Sequence, residues 1–273
     1  MQATACDESW QKPDRQGGLS VDRQLAAAVG SLRKILYCLL PLPTRSVQVS
    51  AQKQISMKVI SVSVGKPQIV QTHNEGFVST AIFKKIVAGR VKVNELNLEG
   101  DAQADLTVHG GRTKSVYVYP HEHYEFWKNE LPEVEFENGN FGENLTTEGL
   151  LETEVFIGDK LSIGTAEFAV TEPRMPCYKL GVRFGRSDII KRFLQSRRSG
   201  FYLTVLKTGE LGAGDSIKIL SRDENKVSVY DIVRLYVQDK DDIKTMSRAL
   251  KVELLPESWK EGFRTRLRES LTL

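Results

Sequence analysis

The sequence predicts a mainly β protein with helices appended at its C-terminal end, and three observations carry that prediction. Between residues 57 and 222, short apolar and β-branched runs recur at close spacing, separated by Gly, Asn and Pro, which suggests a barrel or sandwich. After Arg222 the period lengthens to that of helices with one apolar face. Residues 1–56 show neither pattern and are rich in Gln, Ser and Ala. The expected organisation is therefore a disordered N-terminal extension over 1–56, a β domain over 57–222 and a three-helix domain over 223–273.

The leader holds one possible helix, roughly 21–40, and reads as a tail rather than a targeting peptide, since transit peptides are poor in acids. Met57-Lys58-Val59-Ile60-Ser61-Val62-Ser63-Val64, closed by Gly65-Lys66-Pro67, is the first convincing strand. Further strands are expected at 78–86, 89–93, 106–108, 115–119, 154–157, 160–163, 166–171, 201–206 and 216–221. Two helices interrupt them. One starts at Pro120, a residue suited to a first helical turn, and puts Tyr124, Trp127 and Leu131 on one face. The other covers 187–197, with Ser187 and Asp188 as capping candidates. In the C-terminal part, Val229, Ile232, Val233, Leu235 and Tyr236 mark one helix. Asp241 and Asp242 lead into a second with Ile243, Met246 and Leu250. Pro256-Glu257-Ser258-Trp259 opens a third that continues through Phe263 and Leu267. Three such helices make a small bundle.

The formal charge is +3, but seven of the basic residues and only four of the acidic ones lie in 1–56, so the body that follows is neutral. A neutral body lacks the footprint of a nucleic-acid binder. The longest apolar run, Ile35 to Leu42, falls well short of the ~20 residues that cross a bilayer, so no membrane partner is expected. Three scattered cysteines (Cys6, Cys38, Cys177) give neither a disulfide framework nor a CxxC zinc site. A reducing, cytoplasmic setting fits best.

The chemistry concentrates in three stretches. Arg174-Met175-Pro176-Cys177-Tyr178-Lys179-Leu180 places a thiol between two cations, which favour the reactive, metal-binding thiolate; a buried apolar cysteine is the alternative. In Leu106-Thr107-Val108-His109-Gly110-Gly111-Arg112, paired glycines let backbone amides approach an anion. Arg112 and Lys114 would then hold a phosphate, unless the segment is a tight turn with a solvated arginine. In Phe141-Gly142-Glu143-Asn144-Leu145, Asn144 offers donor and acceptor at one point. His121 and His123 diverge, and no HExxH or facial-triad spacing occurs, which argues against a zinc hydrolase. A Cys177–His109 nucleophile pair is formally possible.

Taken together, Leu98-Glu99-Gly100-Asp101, Asp105, Val108-His109-Gly110-Gly111, Tyr119-Pro120-His121-Glu122-His123-Tyr124, Phe141-Gly142-Glu143-Asn144-Leu145 and Pro173-Arg174-Met175-Pro176-Cys177-Tyr178-Lys179-Leu180 resemble a MOSC domain, and more closely its YiiM-like branch. Asp239-Lys240-Asp241-Asp242 and Glu257-Ser258-Trp259 resemble that branch's three-helix appendage. The resemblance spans about 57–270 and has no counterpart for the leader. It implies a MOSC-type β-barrel that binds the pterin-based molybdenum cofactor (molybdopterin), with the Cys177 sulfur as a metal ligand. It also implies reduction of N-hydroxylated small molecules, of the hydroxylaminopurine or amidoxime type. Within that reading, Gly110, Gly111, Arg112, Lys114, Asn144, Arg174 and Lys179 are the cofactor-binding candidates. Cys177 and His109 are the catalytic ones, His109 because its ordinary pKa lies near neutrality. The cysteines cannot supply an iron–sulfur cluster, so electrons are expected from an external flavin or iron–sulfur reductase. The alternatives are a sulfur carrier or sulfurtransferase using a Cys177 persulfide, and a non-enzymatic cofactor-binding module.

Overall fold

The run of β-branched residues after Met57 forms the strand β1 (Lys58–Val64), and Val59 and Val62 turn inward to open the core. The computed structural model describes residues 56–72, 76–104 and 110–271. The leader, the strand expected at 106–108, and His109 lie outside the described residues. After β1 come a hairpin of β2 (Gln68–Gln71) and β3 (Phe77–Thr80), then β4 (Lys85–Ile86) and β5 (Arg90–Val93). A 3-10 turn at Arg112–Lys114 precedes β6 (Val116–Pro120), α1 (Glu122–Glu130) and β7 (Leu145–Glu148). Next follow β8 (Lys160–Ile163), β9 (Ala166–Pro173), α2 (Tyr178–Phe184), α3 (Ile189–Ser196), β10 (Phe201–Lys207), β11 (Gly209–Gly212) and β12 (Ile217–Ser221). The chain ends in α4 (Val229–Val237), α5 (Ile243–Ala249) and α6 (Glu257–Leu271).

Eight strands form one sheet in the order β12-β8-β9-β10-β6-β7-β1-β4, while β5 and β11 pair separately. Every pairing in the large sheet is antiparallel except β6 with β7. Parallel neighbours need a crossover, and α1 with the loop after it supplies one, delivering residues 139–144 to the start of β7. The expected barrel is not closed by a ladder. The sheet curls until the start of β1 meets the chain entering β12, where Val59 N donates to Asp215 O (2.9 Å), Gly214 N to Val59 O (2.8 Å) and Ile217 N to Met57 O (2.8 Å). Three backbone bonds and a single bridge, Lys58 to Ser216, tie the two ends together.

Departures from the expected elements have local causes. The run 78–86 breaks at 81–84, where Ile82 N turns back to Thr80 Oγ1 and Lys84 N to Ile82 O. The strand expected at 154–157 reduces to one bridge, Phe156 to Ser228. Asp188 precedes α3 without capping it, because its carboxylate is taken by Arg186 (2.6 and 2.8 Å) and Arg192 (2.8 Å). Among the C-terminal helices the caps are explicit. Ser228 and Asp231 form a reciprocal capping box on α4, and Asp242 Oδ1 accepts from Thr245 N (3.0 Å) at the start of α5.

Two apolar clusters result. The larger fills the sheet and continues into α4, α5 and α6 through Ile232, Leu235, Met246 and Phe263, so strands and C-terminal helices share one core. The smaller is aromatic: Tyr117, Tyr119, Tyr124, Trp127, Phe141 and Phe193 pack with Leu131, Leu180 and Ile189. It underlies the cavity described next.

Candidate active site

Four stretches far apart in sequence converge on one cavity, which encloses about 680 Å³ counted to its open mouth. They are the 80–84 turn after β3, the loop 101–104, the 141–144 turn before β7, and Arg174 to Lys179 after β9. Lys114, Tyr117 and Tyr202 complete the wall.

The loop 139–144 is shaped by Glu143, which is fully buried. Its carboxylate accepts from Gly139 N (2.7 Å), Phe141 N (3.1 Å), Thr146 Oγ1 (3.0 Å) and the Tyr124 hydroxyl. Gly142 reaches the cavity at φ +80, and a Cβ there would stand 2.7 Å from the Ile82 side chain. Only glycine fits that close approach.

Asn144 faces the cavity, but its amide is engaged inside the protein. Nδ2 donates to Asp101 Oδ2 (2.9 Å) and Ser63 O (3.2 Å), while Oδ1 accepts from Tyr117 N (3.0 Å). Asp101 in turn accepts from Gly65 N (2.8 Å) and forms a buried ion pair with Lys84. The sequence reading missed Lys84, an almost wholly buried cation lining the cavity. Burial pushes its pKa below the ordinary lysine value, and Asp101 opposes that shift. Its only mark in the sequence is a lysine interrupting an apolar run.

Arg174 is 5% exposed and lies over the rings of Tyr117 (5.4 Å) and Phe193 (5.0 Å). Its Nη1 is buried with no hydrogen-bond partner. Burial works against the guanidinium charge, but Tyr117, Tyr202 and Cys177 outweigh it and hold the pKa above its usual value. Burial likewise pushes the Tyr202 phenol up to about 12, so it stays protonated. Cys177 is half-buried at the N-cap of α2 with extended backbone (φ −123, ψ 174), and its carbonyl accepts from Leu180 N (2.9 Å). Lys179, the second residue of α2, is buried against the same cavity. The helix α2 was not expected from the sequence, because it is short and contains Gly181. Its readable signal is Gly185, which ends it in the left-handed region (φ 67).

Of the sequence candidates, Cys177, Arg174, Lys179, Lys114 and Asn144 all line the cavity. Arg112 does not: its side chain is 72% exposed and pairs with Glu95 (3.0 Å). Gly110 and Gly111 lie outside the lining, and Gly111 instead precedes the 3-10 turn at φ 97, ψ 170. His123 is held by Glu152 at 2.7 Å, away from the cavity, and no group of three metal-ligating side chains occurs among the described residues.

Comparison with known proteins places this arrangement. The MOSC domain model matches residues 105–218, and the model described as YiiM-like, 3-alpha helix domain matches 227–269. Protein YiiM of Escherichia coli (strain K12) is 37% identical over 202 residues, covering 73% of this chain and 88% of that protein. The chain belongs to the MOSC family, in its YiiM-like branch. The crystal structure of YiiM from Geobacillus stearothermophilus superposes with a TM-score of 0.65 at 33% identity, covering 77% of this chain and 99% of that one. A protein named "Reductase" from Gibberella moniliformis is 36% identical over 163 residues, which is 59% of this chain and 29% of that protein. The family matches therefore run through both the strands that build the cavity and the helices behind them. No helix among the described residues is long and apolar enough to cross a membrane.

Proposed function

We propose that this MOSC protein is a molybdenum cofactor-dependent reductase of N-hydroxylated compounds, of the hydroxylaminopurine or amidoxime type. The observation that carries the reading is the buried Arg174 guanidinium, with Nη1 unsatisfied, in the cavity that holds Cys177. A buried donor without a partner costs roughly 1–3 kcal/mol, more when charged, and an anionic ligand group would remove that cost. Lys84, Lys114 and Lys179 line the same cavity, so it suits a phosphate-bearing ligand, and the Cys177 sulfur suits a thiophilic metal. The residues present thus fit the pterin cofactor, which when bound would supply a two-electron redox centre. Arg174 and the lysines would hold its phosphate and Cys177 its metal. Asn144, itself held by Asp101 and Tyr117, would keep the cavity wall in register.

The lining also carries Ile82, Phe141, Met175 and Tyr202, apolar and aromatic surface suited to a flat heterocycle. The net reaction, R–NHOH + 2 e⁻ + 2 H⁺ → R–NH₂ + H₂O, needs an electron source, and we assign that part to a separate flavin or iron–sulfur reductase. The relative named "Reductase" supports an oxidoreductase role. His109, from the Val108-His109-Gly110-Gly111 motif, is our candidate for the proton donor. The test is metal and pterin analysis of the purified chain, followed by reduction of a hydroxylaminopurine with an artificial donor. Molybdenum with pterin and turnover is the expected result. Protein without either but with a persulfide on Cys177 would instead indicate a sulfur carrier, and bound cofactor without turnover a binding module.

A further inference from the structure

Glu172 lies two residues before Arg174 on β9 and is 5% exposed. Three side chains converge on its carboxylate. Thr113 Oγ1 donates to Oε1 (3.1 Å), Trp259 Nε1 on α6 donates to Oε2 (3.1 Å), and Lys114 Nζ stands 4.0 Å from Oε2. Thr113 and Lys114 belong to the 3-10 turn, and Lys114 reaches the cavity. The turn is fixed from below as well, since Thr171 Oγ1 donates to Thr113 O (2.6 Å). Oε2 is therefore shared between an indole donor from the C-terminal helices and a cation of the cavity. Hydrogen bonding at one atom of a carboxylate sets how strongly it attracts a cation at the same atom.

We propose that Trp259 is a positioning residue for the cavity. Its Nε1–H restrains Glu172, Glu172 holds Lys114 in place, and the C-terminal helices thereby tune the affinity of the cavity for an anionic group. The inference rests on the anion-binding reading given above only in its last step. Without the indole donor, Oε2 turns wholly to Lys114, ties the ammonium more tightly and withholds it from a ligand. Without the carboxylate, Lys114 loses that attraction. The two substitutions therefore act in opposite directions, whereas mere loosening of the packing would move both the same way.

The experiment uses the full chain freed of bound small molecules. Competitive acetylation at pH 8 followed by peptide mass spectrometry reads the reactivity of Lys114 in wild type, Trp259→Phe, Glu172→Gln and the double variant. A parallel titration with inorganic phosphate reads protection of the same amine. Trp259→Phe should slow Lys114 labelling and weaken phosphate protection by about three- to tenfold, the range expected for directly coupled residues. Glu172→Gln should do the reverse, and adding Trp259→Phe to it should change nothing further. Equal Lys114 reactivity in wild type and Trp259→Phe, or the same sign of change in both single variants, overturns the proposal. Phosphate that fails to protect Lys114 in wild type counts against the anion-binding reading, while the labelling rates still decide the relay.

Discussion

Asn144 donates to Asp101 Oδ2 at 2.9 Å, and Asp101 holds Lys84 through its other oxygen. This contact joins the start of β7 to the loop at 101–104 and, through Lys84, to the turn after β3, so one amide keeps three walls of the cavity in place. Asn144→Ala would strand Asp101 Oδ2, Ser63 O and Tyr117 N at once. Buried groups left unpaired cost about 1–3 kcal/mol each, and partial relaxation should leave a net loss of about 2–4 kcal/mol. Urea denaturation checks this. A variant as stable as wild type would mean that water replaces the amide.

The same contact separates what the sequence carried from what it could not. Strand and helix placement was largely legible, because the β-branched run from Val59 to Val64 and the apolar helix faces that carry Ile232, Met246 and Phe263 are local signals. The family pattern was legible too, since its motifs keep their order along the chain. The role of Lys84 was not, because a buried lysine is acceptable only beside its carboxylate, and Asp101 is 17 residues away. Arg112 misled for the complementary reason. Its place beside two glycines suggested an anion site, but Glu95 takes it at the surface, and no local rule reveals a partner 17 positions upstream.

Glu143 should tolerate no substitution by an amide. Gly139 N and Phe141 N each donate to a different carboxylate oxygen, and the Tyr124 and Thr146 hydroxyls add to the first. In Glu143→Gln, one backbone N–H must face the new NH₂ group. The expected cost is about 2–4 kcal/mol, with loosening of the 139–144 loop that carries Gly142 to the cavity. Hydrogen exchange at Gly139 and Phe141 would report it directly, and unchanged protection at both would refute the assignment.

Asp242 gives a pH-dependent prediction away from the cavity. Its bond from Thr245 N and its pairing with Arg234 (2.8 Å) lower its pKa from 3.8 to about 2. The folded pKa lies below the unfolded one, so the stabilisation is full above about pH 4 and is lost as pH falls through about 2. Asp242→Asn should cost about 0.5–1 kcal/mol at neutral pH, since the side chain is partly exposed and Asn still caps a helix. The difference between the two stability curves should close towards pH 2. A difference that stayed constant with pH would show that the charge contributes nothing.

Cys177→Ser separates chemistry from architecture most sharply. Cys177 sits at the N-cap of α2, and its side chain makes no capping hydrogen bond there. Serine is among the preferred N-cap residues because its oxygen accepts from the first helical N–H groups. The substitution removes little volume at a half-buried position, so thermal stability should be unchanged or rise slightly, by about 0.5–1 kcal/mol at most. If the sulfur ligates the metal, exchanging a soft thiolate for a harder and far less acidic hydroxyl should nevertheless drop N-hydroxyl reduction to near background. Pterin would stay bound through Arg174 and the lysines. The decisive measurement is turnover normalised to bound pterin and molybdenum, set beside the melting temperature. A structural cysteine would give the opposite pair of results, lost stability with preserved turnover, and activity close to wild type in a stable variant would remove Cys177 from the chemistry altogether.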